Sequence, residues 1–155
     1  MVPRACLPSR RTMEDMIPKI SRGLDPTGLV KYLFGKGRHN EHSNQHLVAC
    51  SDDLLDSFDF DGRPAATYAA IGERFDRRYR VRERKGDPFP RDRRGRHNPG
   101  KEHGKDRVWH CSLSIKAGQG ILTDGQWDVI VRDYLERMGI LDDDGAAGVT
   151  WLAVR

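Results

Sequence analysis

Apolar side chains fall in blocks along the chain, and the period inside each block predicts an element. Ile17-Pro18-Lys19-Ile20-Ser21 alternates apolar and polar positions, which predicts a short strand. Pro18 suits an edge strand or a strand's first residues. Asp25-Pro26-Thr27 opens a helix, with Asp as N-cap and Pro at the first helical position. Leu29, Val30, Leu33 and Phe34 form its apolar stripe, and Gly35 and Gly37 end it. Residues 38–45 are a polar loop. A second helix is expected from about His46 to Phe58, followed by a turn at Asp61-Gly62. A third is expected from about Ala65 to Arg84, because Tyr68, Ile71, Phe75 and Tyr79 stand near helical spacing. Residues 85–106 mix glycine, proline and charge without an apolar period, which predicts a long flexible segment.

Order returns at Val108. Trp109, Cys111, Leu113 and Ile115 alternate with His110, Ser112, Ser114 and Lys116, a clean strand pattern. Thr123 caps a further helix whose stripe, Trp127, Ile130, Val131, Tyr134, Leu135 and Met138, repeats at three and four, and Gly139 closes it. Trp127, Ile130, Val131, Tyr134 and Leu135 are expected to bury against a sheet. Asp142 to Gly145 is a loop, and Val149, Trp151 and Ala153 mark a last strand. The order β-α-α-α-β-α-β predicts an α+β fold with a small sheet. A strand that stops at Arg155 is expected to belong to a longer domain. Residues 1–15 have no period and are expected to be a disordered leader, with Met16 as a natural start.

Composition narrows this picture. The 155 residues suffice for one domain, which at this length buries roughly 70% of its unfolded surface. Hydrophobic residues are 37% and charged residues 32%, so a folded core carries a long polar segment. Cys6, Cys50 and Cys111 are odd in number and lack a CxxC pair, which argues against a disulfide framework or zinc knuckle and for a reducing cytoplasm. No apolar run reaches the ~18 residues of a membrane span, and no secretory signal is present. The net charge of +4 and pI of about 9.1 are compatible with a polyanion partner.

Four groups of residues are candidates for chemistry. Tyr32 stands near Lys31, Lys36 and Arg38, cations suited to a phosphate, beside glycines that let backbone approach one. Spacing alone favours Tyr32 packing in the core beside Leu29 and Phe34. His39, His42 and His46, with Glu41, have the residue types of a metal site, or of a solvated loop. His110, mid-strand and opposite Trp109 and Cys111, faces either a cleft or a neighbour that satisfies it. The stretch 74–107 is strongly basic; Arg77, Arg78, Arg80, Arg82 and Arg84 are candidate phosphate contacts or a solvated helix face.

Read together, several blocks carry a resemblance. Met16-Ile17-Pro18-Lys19-Ile20, Leu29-Val30-Lys31-Tyr32-Leu33, Gly37-Arg38-His39-Asn40-Glu41-His42 and His46-Leu47-Val48-Ala49 resemble the start of actinobacterial relaxases. These are the mobilisation nucleases of conjugative plasmids and integrative elements. Val108-Trp109-His110-Cys111-Ser112-Leu113-Ser114, then Leu122-Thr123-Asp124 and Gln126-Trp127, are similar to a later block. Trp151-Leu152-Ala153-Val154-Arg155 is similar to the strand leading into the family's histidine motif. The resemblance covers roughly residues 16–60 and 107–155 in matching order.

The resemblance implies a central antiparallel sheet with packed helices and a transesterification on single-stranded DNA at an origin of transfer. Tyr32, in a Tyr-Leu-x-x-x-Gly context, matches the nucleophile, which becomes joined to a 5′ phosphate and leaves a 3′ hydroxyl. It would lie at a cleft edge near the end of the last strand. His110, Glu41 and His42 are candidates for the active-site vicinity. The family's divalent cation, magnesium or manganese, is held by three histidines of the HUH type that would begin after Arg155. No residue here takes that role, so the chain alone is expected to nick poorly. Accessory relaxosome proteins are further implied partners. Alternatives are a non-catalytic DNA-binding accessory and a degenerate gene product without a stable fold.

Overall fold

The computed structural model describes residues 16–23, 25–37, 39, 42–86, 108–116, 118, 120–142 and 148–155. The expectations for a leader at 1–15, for most of the loop 85–106 and for most of the loop after Asp142 lie outside them. The elements run β1 (Ile17–Gly23), α1 (Pro26–Phe34), β2 (Leu47–Cys50), a 3-10 helix (Asp52–Ser57), α2 (Tyr68–Arg84), β3 (Val108–Ser114), α3 (Asp124–Arg137) and β4 (Leu152–Val154). The fold is α+β. Among the described residues the strands form two antiparallel pairs, β1–β3 and β2–β4, rather than one continuous sheet.

The helix starts form as their sequences dictate. Asp25 Oδ1 accepts the Gly28 N–H at 2.9 Å, and Pro26 occupies a position whose N–H needs no partner. At α3 the Gln126 N–H donates to Thr123 Oγ1 at 3.3 Å while the Thr123 N–H donates to Gln126 Oε1 at 2.9 Å. That reciprocal pair satisfies two N–H groups at the helix start. β1 and β3 pair in register from Ile17↔Ser114 to Gly23↔Val108, and β1 is exposed along nearly its whole length, as an edge strand carrying Pro18 should be.

The expected helix over 46–58 does not form. Leu47–Cys50 is a strand paired with β4, and only Asp52–Ser57 coils, as a 3-10 turn. A run of four apolar residues reads equally as buried helix or buried strand. Both faces of β2 are covered, which removes the alternation that would have marked a strand. On one face Cys50 and Leu47, with Leu152 of β4, pack against Val30, Leu54 and Ile71 of α1, the 3-10 turn and α2. On the other, Val48 and Ala49, with Ala153 and Trp151, pack against Val131 and Leu135 of α3 and Leu141 beyond it. Leu54, Ile71 and Ile130 are fully buried, each contributing about 1.5–3 kcal/mol.

α3 also ties the second sheet to this core. Tyr134 stacks on Trp109 of β3 with ring centroids 6.3 Å apart, and its hydroxyl meets Cys111 Sγ at 3.6 Å. The expected stripe of α3 is thus largely inward. Met138 is an exception, 48% exposed beyond the helix end. The last strand starts later than expected: Val149 is exposed, and Trp151 is buried just before β4 with Arg132 over its ring.

A polar knot fixes where β2 meets β4. The Ser51 hydroxyl donates to Asp53 Oδ1 at 2.6 Å and accepts the Trp151 N–H at 3.0 Å; Thr150 Oγ1 donates to Asp53 Oδ2 at 2.6 Å. Nearly all of Ser51 is buried, so these bonds offset the desolvation of its hydroxyl.

Candidate active site

Tyr32 sits in the last turn of α1. Leu29, Leu33 and Phe34 are half-buried and Val30 is buried, whereas Tyr32 is 40% exposed. The core alternative for Tyr32 is therefore excluded. Its cationic neighbours Lys31 and Lys36 are exposed as well. The helix stops at Gly35, whose N–H donates to Tyr32 O.

The polar segment after α1 folds back onto that stop. The Gly35 carbonyl accepts from Gln45 Nε2 at 2.7 Å and from His42 Nδ1 at 3.1 Å. A carbonyl only accepts, so Nδ1 of His42 carries the proton and its Nε2 is left as an acceptor in the neutral ring. The His42 ring then stands edge-on to Tyr32, centroids 4.7 Å apart at 69°.

Asn44, at φ 56°, turns the segment through the left-handed region that asparagine tolerates. The Asn44 carbonyl accepts from His46 Nδ1 at 2.7 Å, and His46 Nε2 lies 2.9 Å from Asp124 Oδ2. Arg155 Nη1 donates to Asp124 Oδ1 at 2.7 Å. The backbones of His46 and Arg155 exchange two hydrogen bonds, of 3.3 and 3.1 Å. The segment touching Tyr32 thereby runs directly to the end of β4, at the first residue of α3.

The charges of this cluster support one another. The Asn44 carbonyl, and then Asp124, favour the imidazolium and hold the His46 pKa above its ordinary value. Burial pushes the Asp124 carboxyl up, but hydrogen bonds from Arg155 and His46 outweigh it and hold it below the usual value. The α3 N-terminus adds positive potential beside the carboxylate.

Of the metal alternative for His39, His42 and His46 with Glu41, the carboxylate lies outside the described residues. His46 has both ring nitrogens engaged, by Asn44 and Asp124, whereas His42 commits only Nδ1, to Gly35. Among the described residues no group of three His, Cys, Asp or Glu side chains is arranged for a metal ion. The described residues therefore supply no cradle for the divalent cation that the resemblance implies.

His110 is not brought to Tyr32. It lies on the β1–β3 pair, half-buried, with Nδ1 3.5 Å from Ser21 Oγ, and burial lowers its pKa. The expected separation from Trp109 and Cys111, which meet Tyr134, holds. Arg38 and Glu41 lie outside the described residues, as do the side chains of Arg78 and Arg82. Arg77, Arg80 and Arg84 are exposed on α2. Asp124, Gln45 and Arg155 were not legible as site residues: their partners are 78, 10 and 31 positions away. Only its place directly after the N-cap Thr123 signalled that Asp124 would stand at a helix start.

The chain matches no model of a known protein family, no curated protein and no solved structure.

Proposed function

We propose that this chain carries the nucleophile half of a DNA relaxase, in which Tyr32 attacks a phosphodiester of single-stranded DNA. The observation that supports the reading best is the exposure of Tyr32 at the end of α1, between two exposed lysines and beside an imidazole with an open acceptor nitrogen. In the step, the phenol O–H breaks, Tyr32 Oη bonds to phosphorus, and the 3′ oxygen departs with a proton. Lys31 and Lys36 offset charge on the phosphate. The residues described supply no cradle for a divalent cation, so no step is routed through one. Any cation of the kind the resemblance implies would need ligands from elsewhere, and turnover by this chain alone is expected to be poor.

The test is covalent capture. The protein is incubated with single-stranded DNA and magnesium or manganese, digested with nuclease and trypsin, and examined by mass spectrometry. Cleavage after Lys31 and Lys36 releases a short peptide beginning at Tyr32. A slow, sub-stoichiometric nucleotide adduct on that peptide is expected, absent in Tyr32→Phe. An adduct at another residue, or none under any metal condition, refutes the assignment.

A second reading, a DNA-binding accessory without catalysis, is favoured only by the lack of a cation cradle among the described residues. It predicts reversible DNA binding with no phosphotyrosine.

A further inference from the structure

α2 uses one side for packing and leaves the other open. Ile71, Gly72 and Phe75 face α1 and the core. Ala70, Glu73, Arg74, Arg77, Arg80, Val81 and Arg84 line a shallow concavity of about 520 Å³ along the helix. At 3.6 residues per turn these two sets lie roughly half a turn apart. The open stripe thus carries four arginines against one glutamate.

The arginines are not equivalent. Arg74 is held back, its Nη1 donating to Asp53 O at 2.9 Å and its Nη2 lying 3.6 Å from Asp56. Arg80 meets Asp76 only at 3.6 Å and is about half-exposed. No acidic side chain among the described residues engages Arg77 or Arg84. Val81, 42% exposed, adds an apolar position to the stripe.

We propose that Arg77, Arg80 and Arg84 form a docking surface for the phosphate backbone of double-stranded DNA. From Arg77 to Arg84 the helix rises about 10 Å, a length that spans about three phosphates of one B-form strand. Guanidinium groups suit phosphate oxygens by their paired donors. Duplex is chosen over single strand because the stripe holds no aromatic residue, and surfaces for single strands add aromatic platforms on which bases stack. The proposal deepens the DNA reading above and rests on it for the class of partner.

Fluorescence anisotropy with a random-sequence duplex, and with a single strand of equal length, tests it across a range of salt. The variant R77Q/R80Q/R84Q is compared with wild type and with R63Q/K116Q/R137Q, which removes the same charge from exposed positions elsewhere. Thermal melts establish that all three fold. Losing three contacts should flatten the slope of log K against log salt by about 2.7 and weaken duplex binding about tenfold or more at low salt. The charge-matched control should change the slope by less than one contact's worth. An unchanged slope, equal loss in the control, or loss confined to the single strand would each overturn the proposal. A stripe variant that melts far below wild type is replaced by single R77Q and R84Q, each expected to flatten the slope by about 0.9. The readout is reversible duplex binding, so it is indifferent to adduct formation at Tyr32, and the two readings fail separately.

Discussion

Gly72→Ala probes the contact that positions the Tyr32 helix. Gly72 is buried where α2 meets the start of α1. A Cβ there would run into the Thr27 hydroxyl and stand 2.9 Å from Thr27 Cα and 3.0 Å from Thr27 N. The hydroxyl can rotate away, but the backbone atoms cannot without moving α1. Overpacking of this kind costs about 1–3 kcal/mol, and contact with rigid backbone places it in the upper half. Replacing glycine by alanine inside a helix returns about 1 kcal/mol. The net expectation is a loss of about 1–2 kcal/mol, lowering the thermal midpoint by about 2–8 °C. Gly125, in the first turn of α3, has nothing within 4 Å of a built Cβ. Gly125→Ala should be neutral or gain up to about 1 kcal/mol. Calorimetric melts of the two variants therefore diverge in sign. If Gly72→Ala melts at or above wild type, the close approach of α2 to α1 is absent and the placement of Tyr32 loses its support.

Two further outcomes follow from the charges. His46 binds its proton more tightly folded than unfolded, so its contribution is full below pH 6.5 and lost as pH rises through its raised folded pKa. Because Asp124 is half-exposed, the contribution is below about 1 kcal/mol. In urea melts the stability gap between wild type and Asp124→Asn should shrink from about pH 5.5 to 8.5; a gap constant with pH refutes the pairing. Burial, and then Asp53, push the Cys50 thiol up to about 11, so at pH 8 only about one molecule in a thousand presents a thiolate. Iodoacetamide should therefore spare Cys50 until the chain unfolds. Labelling as fast in buffer as in urea would show that the β2 face is not covered by α1 and α2.

The helices and the outer strands were legible because their signals are local. Asp25-Pro26 and the Thr123–Gln126 pair set helix starts within a few residues, and β3 alternates because one of its faces stays toward solvent, while β1 is exposed on nearly every residue. β2 was misread because its cause is remote: the strand exists by pairing with β4 some hundred residues later and by burial on both faces. Division into two strand pairs was likewise hidden, since no periodicity encodes which strands adjoin. Of the site, the place of Tyr32 near the end of α1 was legible, whereas the spacing of its neighbours pointed to the core and not to its exposure, and its link to β4 depends on Gln45, His46, Asp124 and Arg155, none marked by a motif.

The two histidines of the segment after α1 show how finely backbone placement decides chemistry. His42 and His46 are four residues apart, alike in sequence context, and equal as metal candidates on composition. The turn at Asn44 separates them. It delivers a carbonyl to His46 Nδ1 while Asp124 takes Nε2, so both ring nitrogens are engaged and the favoured state is the imidazolium. With both nitrogens held, His46 is left to brace β2, β4 and α3 against one another. His42 spends only Nδ1, on Gly35, and has no second hydrogen-bond partner among the described residues. His42 thus keeps Nε2 without a hydrogen-bond partner beside Tyr32, while both nitrogens of His46 go to holding the fold, so the two rings are not equivalent as ligands.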